Sequence, residues 1–486
     1  MMEKIQNQKG NSVMTLLVVL MGVLVVAMSI AGTAIATTRI GNDLHVFGPA
    51  LNWVVAAYNL TFAAFTLVFG SLADLFGRRR TFITGAILFA MGSLISVVAQ
   101  NIYLLDAARA LAGIGGAGIM ASGGAILAAT FTGSSRTRAF AAMGTMAGVG
   151  IAIGPFLSGW LIEVLGWRIT FFSYVVVGVL ILIGTIFITE SRSEGQSQVD
   201  LAGMITFTGG LALMMFGIIL GPEMGWNSPI IFSTLIASVI LLVLFVMIER
   251  RISHPVLDLM LVQNVRFMAW CLGTLITSVG FLGVLVFFPT YLQGVNHAST
   301  QDVGLIMLML TAPVLVMPQI GGWFINRGIS PRGLMSVSLL FMAIGNGWLT
   351  VIHPNITNGE VFGPLLLIGI GMGISFGITD GQAMSLVEPN RVGMAAGFLN
   401  TIRGGAEALV IAVFGSVLVS LIQVRVGSSE LANQVAAGSL MGSNTQFLAQ
   451  QYTEAWEIVL WGVMMICTIA AIVVYFMLAE PKRKTP

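Results

Sequence analysis

The sequence predicts an all-α integral membrane protein of fourteen membrane-spanning helices, built as two six-helix halves plus two inserted helices. Three observations predict this fold class. Of the 486 residues, 57% are hydrophobic and only 9% are charged, whereas a soluble domain has about 25% charged residues. The hydrophobic residues are concentrated in long runs, each of a length that crosses a bilayer. Several short motifs occur once in each half of the chain, in the same order.

The apolar runs are expected to be helices, because backbone groups in lipid must find their hydrogen-bond partners within the segment. Roughly 20 residues in a helix cross the hydrocarbon layer. The predicted spans are residues 14–38, 50–73, 81–99, 102–131, 139–163, 169–189, 201–220, 230–249, 268–289, 303–325, 333–352, 361–386, 393–422 and 455–478.

The basic residues test this count, because cytoplasmic segments of membrane proteins are enriched in Lys and Arg. With a cytoplasmic N-terminus, 17 of the 22 basic residues fall in cytoplasmic segments. Three others, Arg39, Arg168 and Arg425, fall outside, and Arg109 and Arg403 lie within spans. We therefore expect the N- and C-termini to be cytoplasmic.

An internal repeat predicts the two halves. Gly70 and Gly322, each near the cytoplasmic end of a span, are 252 residues apart, and Arg138 and Arg391 are 253 residues apart. GIGGAG in the fourth span likewise corresponds to GIGMGI in the twelfth. Repeats of this kind build transporters with a central site that is exposed alternately to each side. The predicted division is 1–190 for the first half, 191–267 for a linker with two extra helices, and 268–486 for the second half.

The loop after the second span reads GSLADLFGRRR, from Gly70 to Arg80. Gly70 and Gly77 permit a close helix approach and a tight turn. Asp74 lies among arginines that begin at Arg78, where it can pair with them or cap the next helix. We expect Gly70, Asp74, Gly77 and Arg78 to form a gate that favours one conformation.

This loop closely resembles the loop signature of the major facilitator superfamily, and further motifs extend the resemblance over nearly the whole chain. RALAGIGGAG, which contains Arg109, is similar to the arginine-plus-glycine motif of that family. GVGIAIGPFLSG is similar to its exporter motif, with Gly150, Gly154, Pro155 and Gly159. NWVVAAYNL, WRITFF, YLQGV and GFLNTIRGGAEAL match its fourteen-helix drug:proton antiporter group. The resemblance implies the major facilitator fold and proton-coupled export of drugs.

The chain departs from that group at one point. Proton-coupled members usually have an aspartate in the first span, where this chain has Met28 and Ser29 and no acid before Asp43. The departure implies that coupling uses another acid or that coupling differs.

Enzyme classes are not supported by the sequence. GIGGAG also fits a dinucleotide-binding pattern, but it lies mid-span with no preceding strand. The chain has no P-loop and no nucleophile–base constellation, and its four histidines are scattered rather than clustered as metal ligands. We expect no cofactor, no metal and no enzymatic activity.

Ionisable side chains inside spans are functional candidates, because each costs at least about 2.5–3.5 kcal/mol at a helix centre. Glu407 is the deepest, and Arg403 lies one turn earlier on the same helix face. Asp380, on the preceding antiparallel span, can approach Arg403. Asp106 lies three residues before Arg109, a spacing that favours an ion pair. The three acids are candidates for proton coupling or for binding a substrate cation, and the two arginines for pairing with an acid and tuning its pKa; purely structural ion pairs are the alternative.

The second span offers Trp53, Tyr58 and Asn59 as cavity residues, with packing as the alternative for Trp53. We predict a secondary active transporter that exports small amphipathic or cationic organic compounds by alternating access and proton antiport. A dedicated metabolite or siderophore exporter with different coupling is the alternative. The repeat argues against a receptor, and the lack of a filter-like segment in any span argues against a channel. We expect a monomer in the bacterial cytoplasmic (inner) membrane, with small molecules, protons and lipid as partners and no nucleic acid.

Overall fold

The computed structural model describes residues 2–47, 49–192, 200–225, 227–252, 259–387, 392–440 and 444–479. Within these ranges, the side chains of residues 2–11 and of some other helical positions lie outside the description. The described secondary structure is helical. The helices are α1 (Met2–Leu44), α2 (Pro49–Phe76), α3 (Arg78–Val98), α4 (Ile102–Thr130), α5 (Gly133–Leu165), α6 (Trp167–Gly184), α7 (Leu201–Met224), α8 (Pro229–Glu249), α9 (Leu259–Gln263), α10 (Val265–Val295), α11 (Thr300–Thr311), α12 (Pro313–Asn326), α13 (Pro331–Leu349), α14 (Asn358–Ser385), α15 (Val392–Val426), α16 (Ser429–Ala436) and α17 (Thr445–Met477).

Thirteen helical segments in the described ranges are long and apolar enough to cross a membrane. The protein is therefore a multi-pass, all-helical membrane protein. The count of fourteen spans is not confirmed, because the predicted eleventh span forms the 19-residue helix α13, which is not among the thirteen. Polar side chains lower its apolar character, and they point into the bundle. Asn346 donates to Gly280 O at 2.9 Å, and Ser336 donates to Ala471 O at 3.1 Å.

The predicted tenth span, 303–325, is divided in two. Helix α11 ends at Thr311 and α12 begins at Pro313, the first helical position after Ala312. The break follows from chemistry, because proline has no backbone N–H and fits the first turn of a helix better than its interior. Together the two helices still form one apolar segment, Thr300–Asn326, that is long enough to span.

Helix packing repeats along the chain. In the first part α4 packs on α2 and α3, α5 packs on α1, and α6 packs on α3. In the later part α14 packs on α12 and α13, α15 packs on α10, and α17 packs on α13. The two sets correspond in chain order, as the repeat predicts; the boundaries 1–190, 191–267 and 268–486 stay a prediction.

Two seams join these sets of helices. At one seam α5 packs on α11 and α12, and at the other α2 packs on α15. Helix α7 packs on both α2 and α15, and α8 packs on α7. The inserted helices therefore lie along the α2–α15 seam.

The GIGGAG motif is a packing device on α4. A Cβ at Gly113 would lie 3.0 Å from Tyr58 C on α2, and a Cβ at Gly115 would lie 2.6 Å from both Gly85 O and Phe89 Cα on α3. Only glycine permits these approaches of backbone to backbone. The motif thus holds α4 between α2 and α3 and places Arg109 beside α2.

Candidate functional site

Arg109 is the centre of a buried polar cluster. Its side chain is 0% exposed. Its Nε donates to Val54 O on α2 at 3.0 Å, its Nη1 to Ser29 Oγ on α1 at 2.9 Å, and its Nη2 to Ser29 O at 3.3 Å. The guanidinium carbon lies 4.4 Å from the centre of the Tyr58 ring and 5.6 Å from that of Phe171. Neutral acceptors and aromatic faces therefore surround this cation.

Ser29 is a residue that the sequence pattern undervalues. The sequence marks it only as standing near the place of an expected acid, yet it receives two of the three hydrogen bonds from Arg109. A neighbouring contact fixes α1 further, because the hydroxyl of Tyr174 on α6 donates to Met28 O at 3.1 Å. A Cβ at Gly32 would lie 2.9 Å from that hydroxyl oxygen. Serine is uncharged, so a search of the sequence for charged residues within spans does not find it.

Asp106 does not form the ion pair with Arg109 that their spacing favours. The guanidinium extends towards α1 and α2, where Ser29 and Val54 take its hydrogen bonds. Asp106 Oδ1 is buried and has no hydrogen-bond partner among the described residues. Asp106 therefore lies one helical turn from Arg109, whose hydrogen bonds are already made to Ser29 and Val54.

Asp380 and Arg403 meet, as the antiparallel course of α14 and α15 suggests. Arg403 Nη2 lies 2.7 Å from Asp380 Oδ1, and Nη1 donates to Asn400 Oδ1 at 2.8 Å. The guanidinium also lies 4.7 Å from the centre of the Phe376 ring. The side chain of Asp380 is 52% exposed, whereas that of Arg403 is 15% exposed. The pair therefore has a half-exposed acid and a mostly buried base.

Glu407 is left without its nearest basic neighbour. Arg403 turns to Asp380, so the self-neutralised pair on α15 is not formed. Glu407 Oε2 is buried with no hydrogen-bond partner in the described chain. Tyr58 on α2 interacts electrostatically with both Arg109 and Glu407.

The three cavity candidates on α2 have different surroundings. The rings of Trp53 and Phe216, on α7, are 6.0 Å apart between centroids, so Trp53 packs on the inserted helices. Tyr58 and Asn59 are fully buried. The hydroxyl of Tyr58 and both amide atoms of Asn59 have no hydrogen-bond partner within the described ranges. Tyr58, Asn59 and Glu407 thus contribute several unsatisfied polar atoms near the α2–α15 seam.

At the predicted gate, the structure shows a turn at Gly77 and a cap on α3 that comes from Glu190. Gly77 has φ +111°, a conformation that favours glycine, and a Cβ there would lie 2.6 Å from Glu190 Oε1. Glu190 accepts hydrogen bonds from the backbone N–H groups of Arg79, at 3.1 Å, and Arg80, at 3.2 Å. An acid 110 residues away therefore caps the N-terminus of α3, and sequence reasoning missed it.

The structure gives less support for the other predicted gate residues, Gly70, Asp74 and Arg78. A Cβ at Gly70 would meet no described atom within 4 Å, so the close helix approach expected there is not seen. The backbone N–H of Arg78 donates to Ser191 O at 3.0 Å. The side chain of Asp74 lies outside the described part of the structure.

We expect Glu190→Ala to lower the free energy of unfolding by about 0.5–2 kcal/mol, because it removes an N-terminal cap from α3. Thermal or denaturant unfolding in detergent measures the change. The control is Glu163→Ala, which removes an exposed salt bridge with Arg39, 3.3 Å long, of a kind that contributes about 0–1 kcal/mol. An equal or larger loss in the control would contradict the assignment.

The exporter motif on α5 packs against two neighbours. A Cβ at Gly150 would lie 2.6 Å from Ala27 Cβ on α1, and one at Gly159 would lie 2.6 Å from Thr300 O on α11. Gly154 faces α1, because a Cβ at this position would lie 3.3 Å from Met28 Cα. Pro155 lies inside α5, and its carbonyl faces Gly304 of α11. The motif therefore brings α5 close to both α1 and α11.

Two hydrogen bonds join α11 to helices of the first set, one near the predicted outer end and one farther inside the bundle. Arg39 on α1 donates from Nε to Thr300 Oγ1 on α11 at 3.3 Å. Thr311 on α11 donates to Ala152 O on α5 at 2.9 Å.

Within the described residues, no group of three or more His, Cys, Asp or Glu side chains is arranged to hold a metal ion.

Comparison with known proteins identifies relatives over most of the chain. The family model described as Major Facilitator Superfamily matches residues 17–411. The multidrug resistance protein Stp of Mycobacterium tuberculosis is 29% identical over 408 residues, which cover 83% of this chain and 75% of that protein. The tetracenomycin C resistance and export protein of Streptomyces glaucescens is 28% identical, with 85% and 77% covered. The puromycin resistance protein pur8 of Streptomyces alboniger is 30% identical, with 83% and 81% covered.

Solved structures support the fold. A bacterial homologue of the human lysosomal transporter Spinster, in an inward-facing and occupied conformation, matches with a TM-score of 0.63 and 16% identity over 95% of this chain and 96% of that one. The inward-facing and unoccupied form matches with a TM-score of 0.64 and 14% identity over 97% of each chain.

Proposed function

Because the chain belongs to the major facilitator superfamily, we propose that it is a secondary active transporter that exports small amphipathic or cationic organic compounds by proton antiport. Relatives named for multidrug resistance and for drug export, at 28–30% identity, support the export of drug-like compounds. In this proposal the protein works as a monomer in the bacterial cytoplasmic membrane, with both termini in the cytoplasm. Nucleic acid, metal and cofactor have no part in it.

The carboxyl group of Glu407 carries the proposal. It lies inside a membrane-spanning helix, and one oxygen is buried without a hydrogen-bond partner in the described chain. A buried carboxylate without a partner is costly in such a place, so it is stabilised by a proton or by a cation that replaces the proton. Mutually exclusive binding of a proton and a cationic substrate at one acid is sufficient for antiport.

The surroundings of Glu407 support its choice over the other acids. Asp380 is half exposed and already paired with Arg403. Ser29 occupies the region of the expected first-span acid and binds Arg109, so α1 supplies no carboxylate there. Glu407 lies on α15, which packs on α2 across a seam, so relative movement of the two helices changes its environment. Arg109 adds a fixed positive charge beyond Tyr58.

A dedicated metabolite or siderophore exporter with different coupling is the second candidate. The contact between Ser29 and Arg109 favours it, since the acid typical of drug:proton antiporters is replaced by a neutral hydroxyl at that cation. In this case transport would not depend on an imposed pH gradient, and dyes would not be substrates.

Ethidium flux into or out of proteoliposomes with an imposed pH gradient tests the proposal. We expect wild-type flux to collapse when the gradient is dissipated, and Glu407→Gln to fall to the level of protein-free liposomes. Asp380→Asn is the comparison, and we expect it to retain gradient-driven flux, because its carboxylate is half exposed and already paired with Arg403.

Two results would contradict this assignment. Loss of gradient-driven flux in Asp380→Asn, with flux retained in Glu407→Gln, would move the coupling acid to α14. No wild-type flux from folded protein would favour the dedicated exporter and lead to a screen of cytoplasmic metabolites.

A further inference from the structure

Asn59 and Glu407 lie at the same level of the seam between α2 and α15. A Cβ at Gly404 would lie 2.9 Å from Ala63 Cβ, and one at Gly415 would lie 3.3 Å from Asn52 Nδ2. Moving eleven residues along α15 therefore corresponds to moving eleven residues back along α2, so the helices are antiparallel and in register. Glu407, three residues after Gly404, is level with residues 59–60 of α2.

The amide of Asn59 is directed into this seam. Asn52, Asn59 and Ala63 are spaced by seven and four residues, so they share the face of α2 that meets α15. Asn59 is fully buried, and neither its Oδ1 nor its Nδ2 has a hydrogen-bond partner in the part of the chain that is described. Glu407 Oε2, across the seam, is in the same situation. Native structures rarely leave three such atoms unsatisfied, so another conformation is expected to satisfy them.

The chemistry of the two groups indicates how they are satisfied. A side-chain amide has one acceptor oxygen and a donor NH₂ group. A neutral carboxylic acid has the complementary set, an O–H donor and a carbonyl acceptor, whereas a carboxylate only accepts. An amide therefore makes two hydrogen bonds with the protonated acid and only one with its ionised form.

We infer that Asn59 is a positioning residue that recognises the protonated form of Glu407 across the α2–α15 seam and so makes one conformation of the transporter depend on proton binding. In the step, a proton forms an O–H bond at Glu407, this O–H donates to Asn59 Oδ1, and Asn59 Nδ2 donates to the other carboxyl oxygen. Loss of the proton removes the first bond and releases the seam. The inference rests on the proposed role of Glu407 as the coupling acid.

Other titratable groups near Glu407 leave this pairing as the proton-dependent contact of the seam. Tyr58 of α2 faces it, with Arg109 of α4 beyond. On α15, Arg403 is held by Asp380 of α14, and Cys271 of α10 lies beside Arg403. The membrane stretch of α7, Leu201–Ile218, has no acidic or basic side chain. The acids of α16 and α17 lie near Arg425, about 27 Å further along α15.

A conformational measurement without substrate tests the inference. The full chain, with Cys271 and Cys467 replaced by serine, carries labels at Thr84→Cys and Ile329→Cys, two sites exposed to the surroundings. The distance between labels is measured in lipid nanodiscs from pH 5 to pH 8.5. We expect the population ratio of two conformations to change about tenfold over this range in the wild type, as one or two hydrogen bonds predict.

The variants separate the pairing from other causes. Asn59→Leu is expected to lose the pH response, with Asn59→Ala as a second variant if the first does not fold. Glu407→Gln is expected to stay in the acidic population at every pH, because glutamine also offers a donor and an acceptor. Adding Asn59→Leu to it should release that population. Asn52→Leu, an amide on the same face of α2, is the control and should respond as the wild type does.

A wild-type pH response in Asn59→Leu, or the alkaline population in Glu407→Gln, would overturn the inference. Its failure is distinct from failure of the proposed function. Gradient-driven dye flux together with an unchanged pH response in Asn59→Leu would reject only the role of Asn59. Absence of flux from a protein whose pH response requires Asn59 would reject drug export and keep the pairing.

Discussion

Replacement of Arg109 by alanine is expected to abolish gradient-driven efflux while leaving the protein folded. Two opposing effects act on stability. The variant loses three hydrogen bonds from a charged donor, to Val54 O, Ser29 Oγ and Ser29 O, each of about 1.5–3 kcal/mol. It also removes a buried cation with no carboxylate within hydrogen-bond reach among the described residues, whose desolvation costs several kcal/mol. Because these terms are similar in size and opposite in sign, we expect the melting temperature to change by only a few degrees.

No opposing effect of this kind is expected for transport activity in Arg109→Ala. Arg109 places a fixed charge beside the ring of Tyr58, and Tyr58 also interacts electrostatically with Glu407. Without Arg109 the environment of the proposed coupling acid changes, and α1 and α2 lose the hydrogen bonds by which Arg109 joins them. Flux in proteoliposomes at equal protein, with melting followed by intrinsic fluorescence, measures both effects. Arg425→Ala, which breaks an outer pair of 3.3 Å with Glu454, is the matched control and should transport normally. Wild-type flux in Arg109→Ala would sink the assignment.

The second large effect is expected at Gly115, where Gly115→Leu should prevent assembly of α3 on α4. Even the first carbon of a side chain would lie 2.6 Å from Gly85 O and from Phe89 Cα, which are backbone atoms that cannot turn aside. Overpacking of this kind lowers the free energy of unfolding by about 3 kcal/mol or more. The clash is with the backbone of α3, so it pushes the two helices apart. We expect no monodisperse protein in size-exclusion chromatography.

Gly144→Leu is the matched control, because a Cβ at Gly144 would meet no described atom within 4 Å. Leucine is also the better helix former, by roughly 0.5–1 kcal/mol. We expect this variant to purify as the wild type does. Equal behaviour of the two variants would mean that the close approach at Gly115 does not limit assembly.

The course of the helices could be predicted from the sequence, but some of their ends could not. Apolar runs locate the part of a helix that lies in lipid. Apart from a few residues at the ends, each predicted span lies on one helix of the structure, except the tenth, which lies on α11 and α12. Hydropathy predicts that the last span begins at residue 455, whereas α17 begins at Thr445. Its first turns, TQFLAQQYTE, are mostly polar, so a search for apolar runs does not detect them.

The sequence could predict which charged residues belong to the site, but not most of the contacts between them. Glu407, Asp380 and Arg403 could be chosen because charges inside spans are rare, and the approach of Asp380 to Arg403 followed from a short turn between antiparallel helices. The partner of Arg109 could not be derived, because it depends on how α1 and α4 are rotated about their axes. Glu190 was missed for a related reason: a cap supplied from 110 residues away leaves no local pattern.

The position of the inserted helices has a consequence for how a lipid-dissolved compound reaches the interior. Amphipathic molecules concentrate in the bilayer, so their shortest route into a transporter is sideways, through a gap between helices. Helix α7 packs on both α2 and α15 and so covers the seam between them. In the described residues the inserted helices α7 and α8 form no comparable packing against α5, α11 or α12. In the proposed transporter we therefore expect a lipid-dissolved substrate to enter on the side of the seam between α5 and α11–α12, away from the inserted helices.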